Sequence, residues 1–136
     1  MGNHIILGMI ISKIKMKREQ NKKFLVFKKE CERLIKEFGL SEWNVKFVCK
    51  DYIEEGNSAK IETDSGIAAA TIYFSIREHK DLPETEVINS ARHEICHLLL
   101  GKISDLAYKR FVMRDELYKE EEMLVARLLK IIFKDE

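Results

Sequence analysis

Residues 81–101 read DLPETEVINSARHEICHLLLG, and the faces of this stretch decide the fold. Ile88, Ala91, Ile95, Leu98 and Leu99 recur at spacings of three and four, the period of a helix with one buried stripe. Asp81 stands where a cap belongs, Pro83 in the first turn, Glu84 at the capping-box position and Gly101 at the stop. The spacing therefore predicts one helix ending at about Leu100. His93 and His97 fall on the side opposite the stripe, together with Glu86, Asn89 and Ser90. Residues four apart are neighbours on a helix surface, so both imidazoles can reach one point. A helix with a buried back and two histidines on its front reads as the floor of a cleft.

Working toward the N-terminus, Ala68 to Ser75 (AAATIYFS) reads as a strand, with a turn at Asp64-Ser65-Gly66 before it. Ala59 to Thr63 reads as a shorter strand, preceded by a turn around Gly56 and Asn57. Trp43, Val45, Phe47 and Cys49 alternate with Asn44, Lys46, Val48 and Lys50, the pattern of a half-buried strand. Phe24, Phe27, Cys31, Leu34, Ile35 and Phe38 recur at helical spacing from about Gln20, and Gly39 is a good stop. Toward the C-terminus a less regular stretch from Lys102 gives way to a helix from about Arg114 to Phe133. Helices and strands do not alternate. The expectation is an α+β domain: an N-terminal helix, a small three-stranded antiparallel or mixed sheet, the histidine helix and a C-terminal glutamate helix.

The 136 residues suit one domain. Residues 17–136 are expected to form it, with 1–16 as an N-terminal extension. Within that extension Ile5 to Ile14 is mostly apolar and Lys13, Lys15, Lys17 and Arg18 follow. About ten apolar residues are too few to span a bilayer, and a secretory signal would carry its charge before the apolar run. A frayed amphipathic extension and a membrane-surface anchor are the two readings. A net charge of +1 gives no strong sign of nucleic-acid binding. Cys31, Cys49 and Cys96 are odd in number and form no Cys-x-x-Cys pair, which fits a reducing cytoplasm better than a disulfide scaffold.

His93-Glu94-Ile95-Cys96-His97 fits the His-Glu-x-x-His pattern of zinc sites. Glu94 lies about 100° around the helix from His93, awkward for a shared ligand but within reach of a water held by the ion. A carboxylate there can accept that water's proton and pass it to a leaving amine. A catalytic zinc usually takes three protein ligands, and no histidine follows the motif. The last helix offers Glu120, Glu121 and Glu122. Glu121 sits in the middle of the apolar stripe Leu117, Leu124, Val125 and Leu128, where a carboxylate is costly unless paired or bound to metal. It is the expected third ligand, with Glu122 in reserve. Tyr108, Tyr118 and Arg114 are candidates to donate to an oxyanion. Glu86, Asn89 and Asp105 are candidates to orient the imidazoles. Cys96 reads as a packed small hydrophobe.

HEICHLLLG followed by Glu121 within EEEMLVARLL resembles the minimal gluzincin metallopeptidases and related phage and prokaryotic HExxH proteins. The resemblance covers roughly residues 43–133. It implies a zincin-like fold, with Zn2+ on His93, His97 and Glu121 and Glu94 as general base. It also implies a cleft rim along the strand before the histidine helix, with Ala69, Ala70, Thr71 and Tyr73 facing an extended peptide. Latency is a further implication, with a terminal segment such as Lys134-Asp135-Glu136 or the N-terminal extension lying in the cleft. The expected function is a zinc-dependent endopeptidase acting on peptide or protein substrates. The alternatives are a non-catalytic zinc-binding module in regulation or assembly, and a DNA-associated protease resembling SprT-like proteins.

Overall fold

The computed structural model describes residues 2–109 and 111–134. Along the chain run α1 (Gly2–Glu37), β1 (Asn44–Lys50), β2 (Ala59–Asp64), β3 (Ala69–Ser75), α2 (Ile76–His79), α3 (Glu84–Ala107) and α4 (Arg114–Ile132). The molecule is α+β, with a three-stranded mixed sheet ordered β1-β3-β2. β1 pairs with β3 in parallel and β2 pairs with β3 antiparallel.

Side chains alternate across each strand, so register decides which of them meet the helices. Ala70, Ile72 and Phe74 of β3 are buried, and Val45, Phe47 and Cys49 of β1 stand level with them. Ala59, Ile61 and Thr63 of β2 continue the same face. Against it pack Phe27, Cys31 and Leu34 of α1 and Val87, Ala91, Ile95 and Leu98 of α3, closing one core. The opposite face of the sheet carries Thr71 and Tyr73 and faces solvent, with Lys50 over the Tyr73 ring.

Two stops differ in kind. Gly39 adopts φ 67°, and the Leu40 amide donates to the Ile35 carbonyl while Gly39 donates to Lys36, a Schellman closure of α1. Gly101, expected to end α3, lies inside it. A Cβ there would sit 3.3 Å from Trp43 Cζ2, so this glycine lets the buried indole approach the helix. The start of α3 also differs. Its cap position is Pro83, which makes no side-chain cap bond, and Asp81 stays exposed. The turn before it is held from outside: Lys23 Nζ of α1 donates to the carbonyls of His79, Lys80 and Leu82 at 2.8–2.9 Å.

The N-terminal segment is not broken off at residue 16. Residues 2–22 continue α1, and their described side chains are exposed, so they add length without adding core. α4 has no buried residue. Of the expected buried stripe, Leu117, Val125 and Ile132 are at least two-fifths exposed, and Leu124 and Leu128 are half-buried. Ion pairs from Arg127 to Glu42 and from Lys134 to Glu37 fasten its C-terminal half near the end of α1.

Candidate metal centre

α3 positions the site because its stripe commits it to the core. Burial of Val87, Ala91, Ile95 and Leu98 turns His93 and His97 outward, where both are exposed. Their Nε2 atoms converge to 3.2 Å, with the rings edge-on at 78°. Zinc–imidazole bonds are about 2.0–2.1 Å long, so an ion shared by these nitrogens would see them about 100° apart, near the tetrahedral angle. The pair therefore fits a zinc ion as two of its ligands.

Glu94 is different in setting. It is 5% exposed, on the inward shoulder of α3, yet it lines the same cleft as the histidines. Burial pushes its carboxyl above the usual carboxylate range, and the charges of His93 and His97 pull against that rise. Burial also pushes up the Cys31 thiol beneath it, with the Glu94 charge adding to the effect. Cys96 is exposed and not a packed hydrophobe, because it falls on the outer side of α3 beside the two histidines.

The cleft holds about 410 Å³ between α3 and β2. Ala59, Ile61 and Thr63 of β2 face His93, Glu94 and His97 across it, with Lys60, Leu100 and Ser104 at its margins. This corrects the expected rim. β3 is the central strand and both its edges are already paired, so it has no edge to offer. Ala70 is buried in the core, and Ala69, Thr71 and Tyr73 lie on the face away from the helices. The free edge beside the cleft belongs to β2, which pairs on one side only. Its sequence, AKIETD, carried the signal: charged side chains are typical of edge strands.

Glu121 and Glu122 are exposed on α4, and Glu120 is half-buried. Among the described residues no three His, Cys, Asp or Glu side chains come close enough together to share one ion. Tyr108, Arg114 and Tyr118 are exposed, and none of them is among the described residues lining the cleft. Asp105 does not orient an imidazole. It accepts from Ser65 Oγ at 2.6 Å, from the Ser65 amide at 3.1 Å and from Thr63 Oγ1 at 3.3 Å, tying α3 to the turn after β2. Glu86 and Asn89 are exposed. Of the tail segment suggested for the cleft, Lys134 pairs with Glu37 and Asp135 and Glu136 lie outside the described residues.

No family model matches the chain, no curated protein matches it in sequence, and no solved structure matches it. No helix among the described residues is long and apolar enough to cross a membrane.

Proposed function

We propose that the chain is a zinc-dependent peptidase of the minimal gluzincin type. The observation that carries this reading is the convergence of His93 and His97 Nε2 at 3.2 Å in the same cleft as the buried Glu94. A zinc ion bound there would polarise a scissile carbonyl and acidify water. His93 and His97 would hold it. Glu94 accepts the proton of the attacking water and returns it to the departing amine nitrogen. Its burial suits that exchange, because a raised carboxyl pKa brings proton uptake and release closer to neutral pH. The free edge of β2 aligns an extended peptide by main-chain hydrogen bonds, with Lys60 and Ser104 at the cleft margins.

The third ligand is assigned to Glu121, with Glu122 in reserve. Glu121 lies among apolar residues of α4, none of which is buried, so this helix can settle further onto α3. An open cleft of this volume favours catalysis over a closed structural zinc module, whose four positions would be filled by protein.

The test combines metal content with turnover. Wild-type protein should bind one zinc per chain and cleave unstructured peptides. His93→Ala should lose both properties. Glu94→Gln should keep the zinc and lose cleavage by about a hundredfold or more, the usual loss for an essential general base. A zinc-loaded wild type that cleaves nothing across a varied peptide library would reject the peptidase reading, and a protein that takes up no zinc would reject both.

A further inference from the structure

The N-terminal half of α1 bears apolar side chains that the rest of the described molecule leaves uncovered. Ile5, Ile6, Leu7, Ile10, Ile11 and Ile14 are between 47% and 67% exposed. At 100° per residue, these and Met9 spread over about 240° of the helix circumference. Charge follows directly behind them. The first 29 residues hold eight Lys/Arg against one acid, Glu19, which is +7; the other 107 hold 16 against 22, which is −6. A near-neutral chain is thus strongly divided, and its positive end is its apolar end.

A second copy of the chain is a poor occupant for this surface. A coiled coil buries a narrow seam, about two positions in seven, and leaves the rest of each helix polar. Here a seam would leave several isoleucines in water. The run from Ile5 to Ile14 is also only about 15 Å long, and a parallel pair would set one basic segment beside the other. An anionic lipid leaflet accepts all of these features. Fifteen ångströms is about half of the roughly 30 Å hydrocarbon core, so the run can enter one leaflet and cannot cross. That agrees with the lack of any membrane-crossing helix among the described residues. Lys13 in the last turn of the apolar run, and Lys15 and Arg18 just behind it, are exposed at the level where cationic side chains meet lipid phosphates with their stems still in the apolar layer.

We propose that residues 5–14 insert into one leaflet of an anionic membrane, with Lys13, Lys15 and Arg18 as a phosphate-binding collar. The core begins near Phe24, so roughly ten further helical residues, about 15 Å, hold the folded body off the surface. The inference is independent of the zinc reading, because none of these residues lines the cleft.

The test uses the full chain and sedimentation with vesicles of phosphatidylglycerol and phosphatidylcholine, beside vesicles of phosphatidylcholine alone. Wild type should bind the anionic vesicles at least tenfold more tightly than the neutral ones, and binding should weaken at 0.5 M salt. Ile6→Glu/Ile10→Glu should lose at least tenfold in binding while its melting temperature stays that of wild type, since neither residue touches the core. Ile10→Trp should show quenching by lipids brominated in the acyl chain. No binding to anionic vesicles would overturn the proposal. So would a tryptophan that acyl-chain bromine leaves unquenched, or a dimer in solution that Ile6→Glu/Ile10→Glu dissolves.

Discussion

His79 shows how one side chain can fix a local structure and set its pH limit. It is buried and stacked on Phe74, with ring centroids 4.1 Å apart. Nδ1 donates to the Ser75 carbonyl at 2.8 Å, which leaves Nε2 to accept from the Ser90 hydroxyl at 3.1 Å. Ser90 is 3.3 Å from Ser58, so the ring joins α2, α3 and the start of β2. Burial lowers its pKa below the ordinary 6.5, the Ser75 carbonyl opposes that shift, and Lys23 adds to it. The unfolded chain therefore takes up this proton first. The contribution of His79 is present in full above about pH 6.5 and is lost as pH falls through its lower folded value. Chemical denaturation at pH 7.5 and pH 5 should show a drop in stability that shrinks in His79→Asn. An unchanged drop would assign the pH dependence to other groups. His79 stands before the motif, and nothing in the sequence pattern marks it as buried. The histidine pair on α3 was more legible: spacing alone put His93 and His97 on one face, and the buried stripe behind them fixed which way that face points.

At the scale of elements, sequence pattern served where a segment carries its own period and failed where a neighbour supplies the stability. The bounds of β1, β2, β3 and α4 follow from alternation or helical spacing to within a residue or two. α2 was missed although Ser75-Ile76-Arg77-Glu78 has the form of a capping box, and Ser75 Oγ does accept from the Glu78 amide at 3.3 Å. Four residues make too short a helix to hold in isolation. Lys23 holds its end from α1 by taking three carbonyls, a contact 56 to 59 residues away in sequence. Lys23→Met keeps the aliphatic stem and removes the ammonium. It should cost about 1.5–3 kcal/mol, the range for hydrogen bonds to a charged group, read from the denaturation midpoint. A change within 0.5 kcal/mol would mean that water replaces the clamp. Gly101 gives a second test at this scale. Alanine in a helix interior gains up to about 1 kcal/mol over glycine, offset here by the crowding against Trp43. Gly101→Ala should be close to neutral. Gly101→Val, with two more carbons against the indole, should lose about 1–3 kcal/mol. Equal stability of the two variants would show that Trp43 does not set the packing limit. Strand order was the part pattern did not reach, because alternation assigns faces and says nothing of neighbours. The rim on β3 was what the family resemblance implied, and the charges of β2 mark that strand as an edge.

For the whole molecule, the proposed zinc site would couple to the arrangement of the helices. α3 is held by the core on one side and by Asp105 at the turn after β2, so the histidine pair stands on a fixed frame. Ion pairs of Arg127 and Lys134 fasten α4 near its far end. Its first half has Leu117, Tyr118 and Met123 exposed around Glu121. A carboxylate reaching for an ion on α3 would draw that half down, and burial of those side chains would add to the gain. Zinc should therefore stabilise the protein as well as activate it. At a free concentration one hundred times the dissociation constant, linkage gives about 2.7 kcal/mol, which for a domain of this size raises Tm by on the order of 10 °C. Tryptic cleavage after Lys119 should slow in parallel as α4 settles. Glu121→Ala should reduce both effects strongly, while Glu122→Ala leaves most of each. The reverse ranking would move the ligand to Glu122. A full thermal shift in both variants, with unchanged cleavage after Lys119, would mean that the site completes its coordination without α4 and that this helix has another use.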